Sequence, residues 1–105
     1  MDKDDFKKLQ VSLRQEGVLN LVLKELARAE EIHPHWPEDK IHAVAIITEE
    51  VGEAMQAAID YEYGKVDGYT DKQRLEMMKE ELVQTAAMAL RALFHLEEKG
   101  VSCDG

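Results

Sequence analysis

Ile47-Thr48-Glu49-Glu50-Val51-Gly52-Glu53-Ala54 is the stretch on which the reading of this chain turns. It places three carboxylates within about one and a half helical turns of a segment that is otherwise nearly all apolar. At about 100° per residue, Glu53 projects roughly 40° from Glu49 and roughly 60° from Glu50, so all three leave the helix in one sector. Like charges that close repel one another, and any that face a core lose hydration as well. A divalent cation would relieve both costs. A solvated polar face, continued by Gln56 and Asp60, would avoid them. The residues by themselves leave both readings open.

The helix carrying this stretch runs from about Asp39 to Tyr63, with Glu38 or Asp39 as its cap and Gly64 as its end. Its first half, Ile41 to Ile47, is apolar except for His42, which calls for burial on more than one face. A chain of 105 residues can hardly bury such a helix alone, so a homodimer or homotetramer is expected. Downstream, Lys65-Val66-Asp67-Gly68-Tyr69 forms a connection and Thr70 or Asp71 caps a long last helix, from about Lys72 to Lys99. Leu75, Met78, Leu82, Ala86, Ala89 and Leu93 form one stripe of it, and the small Ala86, Ala87, Ala89 and Ala92 permit close helix approach. Gly100 reads as a stop, with 101–105 a frayed tail.

Upstream, Phe6, Leu9 and Leu13 at helical spacing mark a short first helix over 2–16, capped by Asp4 or Asp5, with Gly17 either breaking it or weakening it. Leu19, Val22, Leu23, Leu26 and Ala29-Glu30 mark a second, from Val18 to about Ile32. His33-Pro34-His35-Trp36-Pro37 interrupts the pattern, because each proline disfavours helix at the residue before it. The expectation is one all-α domain of four helices over 1–105, with 1–17 a helix or arm and 18–98 the core. Its last two long helices pack antiparallel, as a short connection favours.

The net charge of −9 excludes a binder of nucleic-acid polymers or anionic membranes, which needs basic patches. It leaves room for a small phosphorylated ligand, because a metal can bridge acidic protein and acidic ligand. Cys103 is the single cysteine, so neither an internal disulfide nor a cysteine-based zinc site is available, and a reducing, cytoplasmic location is expected. No opening segment has the form of a signal peptide, and no apolar run reaches membrane-spanning length. His33, His35 and His42 have no partner at zinc-protease spacing.

The last helix holds a second acidic group, Lys79-Glu80-Glu81-Leu82-Val83-Gln84, with Glu81 and Gln84 as neighbours on one face. Antiparallel packing brings Glu50 and Glu53 opposite Glu81, with Gln84 adding a neutral oxygen. Hard oxygen ligands of this kind suit Mg²⁺ or Mn²⁺ rather than zinc. Against this stands ordinary surface chemistry early in a helix.

At this point the chain resembles the MazG-like, all-α nucleoside triphosphate pyrophosphohydrolases, whose signature is EExxE, a gap, then ExxD. Glu49-Glu50-Val51-Gly52-Glu53 matches the first half. Glu81-Leu82-Val83-Gln84 matches the second in its glutamate, with Gln84 where the family has aspartate. The resemblance covers roughly residues 18–98. It implies Mg²⁺-dependent hydrolysis of an NTP or dNTP between the α- and β-phosphates, giving a nucleoside monophosphate and pyrophosphate, in service of nucleotide-pool housecleaning. Carried over by position, Glu50, Glu53 and Glu81 are metal ligands, and Gln84 occupies the place of a carboxylate ligand. Glu49 binds a second metal or orients the attacking water. Glu49, Glu50 and Glu53 are thus the catalytic candidates. Glutamine in place of aspartate removes one charge, which weakens metal affinity or lowers the number of metals held. For the substrate, Arg91 and His95 continue the face of Gln84, Lys40, Lys65 and Arg74 lie in or beside connections, and Trp36 either stacks on a base or packs between Pro34 and Pro37. Two other functions remain beside the enzyme: a relative that binds metal or nucleotide without turnover, and a helical interaction protein whose acidic stripe is surface.

Overall fold

The computed structural model describes residues 2–64 and 68–103, with side chains given as far as Glu98 in the last helix. The expected connection residues Lys65, Val66 and Asp67, and Asp104 and Gly105 of the expected tail, lie outside the described residues. Every regular element among the described residues is helical: α1 (Lys3–Ile32), α2 (Lys40–Tyr63) and α3 (Asp71–Cys103). None of these helices is long and apolar enough to cross a membrane.

The all-helical expectation holds, and the count of four is corrected to three. Gly17 does not separate two helices; α1 runs through it. One glycine costs a helix about 1 kcal/mol against alanine, and at Gly17 no left-handed backbone adds to that cost. Gly100 likewise fails to stop α3, which continues to Cys103. Gly64 does stop α2, because it takes φ 58° and its N–H reaches back to the carbonyl of Asp60 at 2.8 Å. That left-handed conformation is cheap only for glycine. The difference among the three glycines lies in the backbone that follows, not in the residue.

The starts of the helices are set by side-chain caps. Asp2, rather than Asp4 or Asp5, caps α1 by accepting from the Asp5 N–H at 2.8 Å. Asp4 and Asp5 fall in the first turn, where negative charge suits the helix dipole. Asp39 caps α2, accepting from the Ile41 N–H at 3.2 Å. Thr70 and Gln73 form a reciprocal capping box at the start of α3, at 3.1 and 2.9 Å.

The antiparallel pairing of α2 with α3 follows from which residues share cavities. Ala43, early in α2, meets Ala92 and His95, while Asp60, late in α2, meets Arg74 and Met77. α1 packs on another side of α3 and runs with it, Glu25 near Glu80 and Glu30 beside Arg91 and His95. Both outer helices therefore pack on α3, α2 more extensively than α1.

The enclosed core is small. Its buried apolar residues are Val22, Ala29, Ala43, Ala54, Ala87 and Met88, four of the six being alanines. Leu75, Leu82 and Leu93, expected in one stripe of the last helix, are exposed, as are Ile41 and Val44. The radius of gyration is 17.5 Å with extents of 49 × 47 × 21 Å, against about 13 Å for a compact chain of about 100 residues. α1 accounts for part of this, because its N-terminal half carries Phe6, Leu9 and Leu13 without covering them. The chain forms a flat, open layer of helices.

Candidate metal centre

Glu50 and Glu53 from α2 and Glu81 from α3 each bring a carboxylate oxygen to within 4.8 Å of the other two. The register of the antiparallel pair places them opposite one another, midway along α2 and in the first third of α3. Glu53 is exposed, whereas Glu50 and Glu81 are half-buried. One oxygen of each half-buried pair member, Oε2 of Glu50 and Oε2 of Glu81, is shielded from solvent and has no hydrogen-bond partner among the described residues. A shielded carboxylate oxygen without a donor is costly. Three carboxylates gathered this closely, two of them carrying such an oxygen, form a donor set that fits a hard cation.

The electrostatics agree. Burial pushes the Glu50 carboxyl above the ordinary carboxylate range, and the charges of Glu53, Glu25 and Glu49 push it further. Burial also raises Glu81, followed by its hydrogen bond with Glu53 and the charges of Glu53, Glu50 and Glu80. Both shifts favour the protonated form, so the cluster opposes carrying its full negative charge.

Glu49 stands outside the trio and is exposed. Gln84 is half-buried and lines a groove on the α1 side of α3 with Glu25, Arg28 and Lys79. Glu25 is a residue the sequence pattern did not single out. Its carboxylate holds Arg28 at 2.6 and 2.9 Å, and its charge reaches Glu50. It sits in the polar face of α1 like several other charges, so only the packing of α1 marks it.

A cavity of about 220 Å³ opens against the trio, lined by Glu53, Gln56, Ala57, Asp60, Arg74, Met77 and Glu81. The polar stripe Glu53, Gln56, Asp60 thus forms a wall, and the Gln56 amide donates to Asp60 at 2.9 Å.

The remaining candidates gather elsewhere. Arg91 is ten residues beyond Glu81, about 15 Å along α3. It is 4% exposed, donates to the carbonyl of His33, lies 3.4 Å from the Glu30 carboxylate and sits 5.0 Å from the centre of the Trp36 ring. His95 stacks on Trp36 at 5.7 Å and meets Glu30 at 2.9 Å. Together these contacts tie the loop after α1 to α3, and they occupy both Arg91 and one face of Trp36. Glu30 is the partner that sequence reading missed; it follows Ala29 at the edge of the buried stripe of α1. Trp36 and Lys40 do share a cavity of about 260 Å³ with His95, at the far end of α3 from the glutamates.

No protein-family model, no curated protein and no solved structure matches the chain, so what the site can do rests on its residues.

Two outcomes follow from this geometry. A carboxyl whose folded pKa is raised contributes stability that is full below its unfolded pKa and is lost as pH rises through the folded value. Metal-free protein therefore melts higher as pH falls from 7 towards about 5, and Glu81→Gln raises the metal-free Tm at pH 7 by roughly 2–4 °C while flattening that pH slope. Thermal melts across pH in chelator check both; an unchanged slope in the variant would show that the cluster is already well solvated. Arg91→Met removes a buried cation from Glu30 and the His33 carbonyl, and costs about 2–3 kcal/mol in urea unfolding. It leaves the response of the chain to Mn²⁺ intact, and a lost Mn²⁺ response with unchanged stability would place Arg91 in the site instead.

Proposed function

We propose that the chain is a Mg²⁺- or Mn²⁺-dependent nucleotide pyrophosphohydrolase of the MazG-like kind, converting an NTP or dNTP and water to a nucleoside monophosphate and pyrophosphate. The observation that carries this reading is the convergence of Glu50, Glu53 and Glu81 from two helices, with two shielded oxygens lacking donors. A solvated acidic stripe on a single helix needs neither feature.

Glu50, Glu53 and Glu81 would hold the metal. When bound, it supplies charge neutralisation for a polyphosphate and a more acidic water. The chain's own residues supply the rest. Glu50 and Glu81 are positioned by burial on facing helices, so little ordering remains to be done when the ligand arrives. Glu49, exposed one residue before Glu50, would accept a proton from water at the outer edge of the site. Gln84 supplies a neutral oxygen on the α1 side, where Glu25 restores negative charge at longer range.

A second reading, binding of metal or nucleotide without turnover, is favoured by Gln84, which leaves the trio one carboxylate short of the family signature. We further propose that the active form is a homodimer or homotetramer. The supporting observation is the open apolar surface of the protomer, on which Ile41 is 82% exposed and Leu93 61%.

Pyrophosphate release from a panel of NTPs and dNTPs in Mg²⁺ or Mn²⁺ tests the activity. Turnover is expected for at least one nucleotide and falls by about 100-fold or more in Glu53→Gln. A metal-dependent rise in Tm with no release from any nucleotide favours the second reading, and neither effect leaves only a helical interaction protein. Light scattering tests the assembly: a mass of two or four times 12.0 kDa is expected, and a monodisperse monomer would rule it out.

A further inference from the structure

The cavity beside the trio has charged side chains on both walls, yet its lining contains one cation among the described residues, Arg74. Arg74 lies seven residues before Glu81, so both leave α3 from nearly the same face, about 10 Å apart along the axis. Its side chain is 12% exposed, and its Nη1 is held at 2.8 Å by Asp71, whose own side chain is 85% exposed. The outer partner faces water while the guanidinium stays packed against the cavity. The N-terminal end of α3 adds positive partial charge at the same place.

The size of the cavity limits what enters. About 220 Å³ falls below the roughly 300–1,000 Å³ of sites that enclose a whole drug-sized ligand. It suits phosphoryl groups with their water and leaves the nucleoside outside. Phosphoryl oxygens there would face Glu53, Asp60 and Glu81, so without a cation at the trio they are repelled. With one, the repulsion is offset at the glutamate end, and Arg74 meets the charge that remains at the other.

On these grounds we infer that Arg74 is the anion-binding residue of the site, taking the phosphoryl groups that extend from the carboxylate-held metal towards the start of α3. This rests on the metal-dependent reading above and adds to it a residue and a direction: the phosphate chain runs to Arg74, not towards Arg91. The planar guanidinium matches two phosphoryl oxygens at once, which an ammonium does not.

Calorimetric titration with Mg²⁺ alone, and then with methylenediphosphonate at saturating Mg²⁺, tests this without turnover. Wild type and Arg74→Gln bind Mg²⁺ within about twofold of each other, while Arg74→Gln binds the diphosphonate about 10- to 100-fold more weakly. Arg74→Lys recovers part of that loss, and it carries the comparison if Arg74→Gln does not fold by circular dichroism. Without Mg²⁺ none of the three binds the diphosphonate. Equal diphosphonate affinity in wild type and Arg74→Lys, together with equal affinity in Arg74→Gln where that variant folds, overturns the role of Arg74 and leaves the metal centre standing. So does wild type that takes up Mg²⁺ but no diphosphonate. Wild type that binds no Mg²⁺ overturns both.

Discussion

Ala87 is fully enclosed, and a side chain of that size at that place is what lets two helices close on α3 from different sides. A larger residue would hold α1 or α2 away, because interaxial distance tracks the side chains at the contact. Once α2 lies close and antiparallel, its register is fixed by Ala54 and Ala43, both buried. That register puts Glu53 opposite Glu81. The carboxylate cluster is thus a consequence of small residues packing well, and its cost is borne by that packing.

The size of this cost can be bounded. Two full charges 4.8 Å apart repel by about 1 kcal/mol in water and about 3–4 kcal/mol at an effective dielectric near 20. Glu53 is exposed, which pulls its pairs towards the lower figure, and a proton on Glu50 or Glu81 lowers it again. Even so, a domain typically holds only about 5–15 kcal/mol of net stability. A core with four alanines among its six buried apolar residues has little to spare, so whatever neutralises the cluster also matters for folding. Under the proposed reading, metal uptake and stability would be coupled through the same three side chains.

Much of this arrangement was legible in the sequence. The span of α2, its end at Gly64, the break at His33 to Pro37 and the start of α3 at Thr70 all rest on local chemistry that proline, glycine and short polar side chains announce. The meeting of Glu50 and Glu53 with Glu81 was legible because two helices joined by a short connection have one simple way to pack. The continuity of α1 was not, since a helical glycine and a helix-ending glycine look alike until the backbone after them is known. Nor was the inner face of α3. Its Ala and Leu positions support two stripes, and periodicity gives the spacing of a stripe without saying which neighbour covers it. The cluster of Glu30, Arg91, His95 and Trp36 joins residues some sixty positions apart, which no local pattern can pair.

The two polar clusters divide α3 between them. Towards its C-terminal end, Arg91 and His95 have opposite charge, an aromatic ring and a carbonyl around them, so their charge is balanced by the chain itself, although Arg91 Nε makes no hydrogen bond. Towards its N-terminal end, Glu81 has like charges around it and a shielded oxygen with nothing to accept. Polar groups that serve only to hold a fold resemble the first case, since an unmet buried group lowers stability with no return. The second case gains stability from whatever neutralises it, a proton or a cation. The contrast along a single helix, between a cluster whose charges balance and one of like charges beside a cavity, is the physical support for the proposed assignment of function to Glu50, Glu53 and Glu81 and of structure to Trp36 and Arg91.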